Sequence, residues 1–186
     1  MIGEERSFES FFHYFDASTG PFLNLSDLSG DDAERELERL RREGRTFAAG
    51  RPADYMDVRR SLEAKAREQF VRKGGRPVRR APHYMTWGPC DWLASWYPEG
   101  KSLSVPVSSF SAVSVSFTYG DLFPAMRVRD GKPYRGQVFT LDEMRRLIGE
   151  YGFPQRWNPD GAHGPERYIE VQVWDDGPLA AWRIGG

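Results

Sequence analysis

Glu170 stands in the stretch "ERYIEVQVW", where period-two alternation sends Ile169, Val171 and Val173 to one face of a strand and Tyr168, Glu170, Gln172 and Trp174 to the other. A face turned to water is ordinarily charged and varied. This one sets a carboxyl and an amide between two large rings, as the wall of an enzyme cleft would. The same pattern also fits an amphipathic strand half covered by a helix, with Glu170 simply hydrogen-bonded.

A second stretch, "SVSFTYGD", alternates in the same way. Val113, Val115, Phe117 and Tyr119 point to one side, while Ser114, Ser116 and Thr118 point to the other. Small hydroxyls leave room for a ligand and offer it donors and acceptors. The row reads either as the floor of a pocket whose wall carries Glu170 or as an exposed β face, where Ser and Thr are common. Gly120 then permits a turn that projects Asp121 from the strand end. Asp121 is placed either to serve a site or to cap that turn through its own backbone.

His13 in "FFHYF" and His83 in "PHYMTW" are flanked by rings. Such a histidine acts as a base, a ligand-orienting donor or a metal ligand, or it is packed with both nitrogens satisfied. His163 falls in the glycine-rich "DGAHGPE" and reads as a loop residue. No HxH or HExxH spacing and no cysteine pair occurs, so no structural zinc is expected and no metal ligands are assigned. A metal-assisted hydrolase using His13 or His83 with Asp121 and Glu170 is one alternative. Cys90 in "GPCDW" becomes a nucleophile only if His83 approaches it; otherwise it is a small buried hydrophobe.

The elements that must position these groups follow from pattern and punctuation. "SFFHYFD" (10–16), "HYMTW", "KSLSVPV", "AVSVSFTY", "YRGQVFT", "ERYIEVQVWDD" and "AAWRI" read as strands, with Pro106 placing "KSLSVPV" at an edge or bulge. Ser29 or Asp31 caps a helix over "DDAERELERLRREG" that Gly44 ends. A second helix runs from about Ala53 to Lys73, with Tyr55, Val58, Leu62, Ala66 and Phe70 (or Gln69) on its buried face. The third, "TLDEMRRLIGEYGFP", opens with Thr140 and Glu143 at capping-box spacing. "CDWLASWY" reads as a short helix or turn. Helices come early and strands late, which predicts an α+β fold: a single globular domain over 1–186, with a largely antiparallel twisted sheet and about three helices.

Bulk properties narrow the classes. Hydrophobic residues make up 39% of the 186, aromatics 14% and charged residues 28%, the profile of a soluble globular chain. The six Trp, eight Tyr and twelve Phe exceed what a small core needs, so some are expected to line a groove or an interface. A net charge of −1 creates no global pull towards nucleic acid or membrane. No apolar window reaches the ~18 residues of a membrane span, no signal peptide is read, and one cysteine allows no internal disulfide. The expectation is a cytoplasmic bacterial protein. One local exception is the basic run 59–80, ending in "VRKGGRPVRR", which could grip phosphates of a nucleotide or nucleic acid. No P-loop or Rossmann glycine motif accompanies it.

The order of these residues resembles that of ADP-ribosyltransferase-like domains. These carry His or Arg on an early strand, a Ser/Thr or Tyr on a middle strand and Glu on a late one, around a NAD-binding cleft. The resemblance rests on His13 in "FFHYF", on Ser116, Thr118 or Tyr119 in "SFTY", and on Glu170 in "RYIEVQVW". It implies that His13 holds the ribose, that the hydroxyl strand shapes the nicotinamide pocket, and that Glu170 stabilises an oxocarbenium-like transition state. His83 competes with His13 for the first position, and Glu170 is followed by Val-Gln and lacks the second acid often seen there. The expected site is therefore Glu170, His13 and Ser116 as catalytic residues. Thr118, Tyr119, Asp121, His83, Tyr168, Gln172 and Trp174 contact a nucleotide-type ligand, with NAD as the candidate. The alternative to an enzyme is a module whose aromatic segment 84–97 and basic run bind a protein or nucleic acid.

Overall fold

Alternating apolar residues produce five strands: β1 (Ser10–Asp16), β2 (His83–Trp87), β3 (Gly100–Pro106), β4 (Val115–Tyr119) and β5 (Ile169–Val173). The computed structural model describes residues 7–183. All five strands join one antiparallel sheet in the order β3-β1-β2-β5-β4, so the α+β architecture is as the sequence predicts. Register sets one row of side chains across the middle of the sheet. Phe12 lies opposite Thr86, Thr86 opposite Glu170, and Glu170 opposite Thr118.

Because directly paired residues share a face, each face of the sheet has one character. On one side Phe11, Met85, Trp87, Val115, Phe117, Ile169, Val171 and Val173 form the main core. The long helices are α1 (Gly30–Glu43), α2 (Tyr55–Arg72) and α5 (Leu141–Tyr151); α5 closes the main core with Leu141 and Met144. Thr140 starts α5 with the full capping box, its hydroxyl accepting from the Glu143 amide and the Glu143 carboxylate accepting from the Thr140 amide. On the other side, α2 and the short α4 (Leu122–Arg127) cover the polar row. Leu62, Ala66 and Phe70 meet Leu122, Met126 and Trp174 there. Ser29 caps α1, and Gly44 ends it in the left-handed conformation.

Two expected strands are corrected. "YRGQVFT" is not a strand: Gly136, at φ +72°, breaks the extended run. Only Phe139 pairs, exchanging two backbone hydrogen bonds of 2.9 and 2.8 Å with Phe117 on the outer side of β4. "AAWRI" instead forms α7 (Ala180–Arg183) after the turn Gly177–Leu179, and Ile184 lies outside the described residues. β5 already has β2 and β4 on its two sides, which leaves no ladder for a further strand beside it. The short α3 (Asp91–Ala94), α4 and α6 (Pro154–Trp157) add to the three long helices expected. No described helix is long and apolar enough to cross a membrane.

Candidate active site

The polar face of the sheet leads to the site. Gly120 follows β4 at φ +100°, a backbone that side-chain-bearing residues resist, and the chain turns sharply there into α4. Two consecutive amides at that turn each hold a carboxyl. The Leu122 N–H donates to Glu170 Oε1 at 3.2 Å, and the Phe123 N–H donates to Asp121 Oδ1 at 2.8 Å. Tyr168 donates its hydroxyl to Asp121 Oδ2 at 3.0 Å. The helix start therefore brings Asp121, Glu170 and Tyr168 together.

These groups line a cleft of about 1330 Å³. That exceeds the roughly 300–1,000 Å³ typical of small-ligand pockets. Rings form its walls. Phe47 stacks on Trp96 with centroids 3.9 Å apart, Trp96 meets Trp92 edge-on at 4.9 Å, and Tyr55 stacks on Phe123 at 5.2 Å. Behind them Arg59 and Glu63 of α2 form a buried ion pair at 2.9 Å. Tyr84 and Ser26 also donate to Glu63, each at 2.8 Å, and Arg59 donates to Asn24 and to the Tyr55 hydroxyl.

The two carboxyls sit in different surroundings. Burial pushes the Glu170 carboxyl well above the usual range, and the nearby Asp121 charge adds to this. Burial raises Asp121 as well, but the Phe123 N–H, the Tyr168 hydroxyl and the guanidiniums of Arg51 and Arg59 all favour its charged form. Between the pair, Glu170 is pushed further towards its protonated form, while Asp121 has more neighbours that favour its charge. Tyr168 is itself held protonated by burial and by Asp121, as its donor role requires. Glu170 Oε1 already takes two donors, Leu122 N–H and the Gln172 amide at 3.1 Å. Its Oε2 takes no hydrogen bond from any described residue, which leaves it for the cleft.

The row of hydroxyls does not form a pocket floor. Ser116, Thr118, Gln172 and Trp174 are fully buried and hydrogen-bonded in a chain. Trp174 donates to Ser116, Ser116 to the Gln172 carbonyl, and the Gln172 amide to both Thr118 and Glu170. These residues orient Glu170 from behind. Tyr119 faces the main core and donates to the Gly152 carbonyl at 2.8 Å.

His13 and His83 also project to the core side, opposite Glu170. His83 pairs with Val173 in the sheet and contacts Asp176 at 2.8 Å. His13 donates through Nδ1 to the Tyr84 carbonyl and accepts the Phe22 N–H at Nε2, each at 2.9 Å. Ser116 is thus sealed behind Glu170, while His13 and His83 border the same cleft as Glu170 from the other face of the sheet. Cys90 is buried and its thiol is pushed up by that burial, the opposite of an activated nucleophile. Among the described residues, no three His, Cys, Asp or Glu side chains are grouped to hold a metal ion.

His13 gives a pH prediction. Burial lowers its pKa from 6.5 to about 4, and protonation would set a second donor against the Phe22 N–H. The unfolded chain therefore binds this proton first. Stability conferred by neutral His13 is complete above about pH 6.5 and falls as pH drops towards about 4. In urea titrations from pH 8 to 4, wild type is expected to lose stability relative to His13→Gln across that window. A pH-independent difference would show that the ring is not held neutral.

No protein-family model matches the chain, and no curated protein or solved structure matches it. Sequence reasoning missed Arg51, Arg59, Glu63 and Tyr84. The signal for two of them was present: Arg59 and Glu63 are four apart and fall within the apolar stripe of Leu62, Ala66 and Phe70.

Proposed function

We propose that the cleft is the acid–base centre of an enzyme that hydrolyses an N-glycosyl bond in a nucleotide-type ligand, NAD among the candidates. One observation carries this reading: two carboxyls held on consecutive amides, Glu170 on Leu122 N–H and Asp121 on Phe123 N–H; burial pushes Glu170 towards the acid form, and the neighbours of Asp121 favour its charge. Glu170 donates its proton to the departing base as the carbon–nitrogen bond breaks. Asp121 offsets the positive charge developing on the sugar and accepts the proton of the attacking water as the new carbon–oxygen bond forms. Ring walls suit a base or a sugar face.

The reading departs from the ADP-ribosyltransferase pattern in that Asp121, not His13 or Ser116, partners Glu170. Nucleic-acid binding through the 59–80 run draws less support. Arg59 and Lys73 pair with Glu63 and Glu143, Arg72 with Glu68, and Arg79 with Asp27 and Asp176. Arg67 is turned to backbone carbonyls.

The test is chromatography of free base released from NAD, AMP and adenosine. Wild type should release base from at least one of them, and Asp121→Asn should slow release by roughly 100-fold or more. Release no faster than buffer alone from all three would end this reading.

A further inference from the structure

Arg51 follows the turn Phe47–Gly50 and lines the cleft. Its guanidinium lies 4.3 Å from the centre of the Tyr55 ring, and it forms no ion pair or side-chain hydrogen bond with any described residue. The nearby Arg59 differs, since it is committed to Glu63. Burial depresses the pKa of Arg51, so its positive charge is held at a cost that no carboxylate at bonding distance offsets. An incoming oxyanion would offset it, and a planar guanidinium fork matches phosphate oxygens two at a time.

The same turn carries a second, independent feature. Phe47 stacks on Trp96 at 3.9 Å yet leaves 54% of its own surface exposed at the cleft. Phe47 also meets Trp92 edge-on at 6.4 Å, and the part of the ring left open is suited to stacking on a planar group. Ring and cation lie four residues apart in the chain and both line the cleft, offering the two kinds of contact a nucleoside monophosphate takes.

We infer that Arg51 is the phosphate-docking residue of this cleft and that Phe47 receives the base, which makes the ligand a nucleotide and not a free nucleoside. The inference deepens the acid–base reading above, on which its choice of ligand rests.

The test is calorimetric titration of AMP, adenosine and ribose 5-phosphate into wild type, Arg51→Gln and Phe47→Ala. On wild type, AMP should bind roughly tenfold or more tightly than adenosine, the scale of a charge-assisted contact. Arg51→Gln should close that gap and leave adenosine affinity unchanged. Phe47→Ala should weaken AMP and adenosine while sparing ribose 5-phosphate. Should Arg51→Gln fail to fold, Arg51→Lys reads the same gap, which should shrink because an ammonium lacks the fork.

Equal affinity for AMP and adenosine on wild type, an AMP advantage that survives both Arg51 variants, or no binding of any of the three overturns the phosphate site. Undiminished AMP affinity in Phe47→Ala overturns the role of the ring. Turnover separates the two readings: AMP binding through Arg51 without base release removes only the chemistry. Base release indifferent to Arg51→Gln removes only the docking site.

Discussion

Glu170→Gln is expected to raise the melting temperature at neutral pH and, under the acid–base reading proposed above, to abolish base release in the same protein. A carboxyl whose pKa is raised on folding is most favourable to the fold below its unfolded pKa, and that favour is lost as pH rises through the folded value. At neutral pH wild type therefore carries a penalty for Glu170 that a neutral amide escapes. Glutamine keeps the shape and keeps an acceptor for the Leu122 N–H. The expected gain is roughly 0.5–2 kcal/mol, the usual size of a single stabilising change. It should shrink as pH approaches about 4.3, where the unfolded carboxyl also gains its proton. Thermal melts of both proteins from pH 4 to 8 measure this directly. A lower melting temperature for Glu170→Gln at neutral pH would mean the carboxyl is a structural asset and not a strained functional group.

The second large effect runs the other way. Glu63→Ala removes the only carboxylate among the described residues bonded to Arg59, whose side chain is 10% exposed beside a Glu63 that is 4% exposed. A buried guanidinium left without its partner typically costs about 3–5 kcal/mol. Tyr84 and Ser26 lose their shared acceptor at the same time. Urea unfolding should show a loss of that size. The double change Arg59→Met with Glu63→Leu, which removes both charges and fills the space, should recover most of it. A loss below about 1 kcal/mol for Glu63→Ala would place this pair in water.

The sheet was readable because its pattern is local. Alternation alone places Ile169, Val171 and Val173 on the core side, and β1 begins and ends where "SFFHYFD" does. Thr140 and Gly152 bound α5 for equally local reasons. The site was only half readable. Glu170, Asp121 and Tyr168 carried signals of their own, whereas their grouping depends on where α4 begins against β5. Alternation also says which face a hydroxyl takes but not what covers it. Ser116 and Thr118 do share the face of Glu170, yet α2 and α4 lie over that face and convert the row into internal supports. His13 shares the odd-numbered register of Phe11, so it leaves β1 on the opposite face from Glu170 even though it borders the same cleft.

The doubled bond between Phe139 and Phe117 has a bearing on the molecule among its neighbours. Sheets grow into fibres when an unpaired margin accepts a strand from another copy. Here one margin is β4, and Phe139 caps it at mid-length. The opposite margin, β3, carries the exposed Lys101 and finishes in Pro106, which has no amide hydrogen to offer a newcomer. Among the described residues, both flanks of the sheet are thus guarded against edge-to-edge pairing between copies.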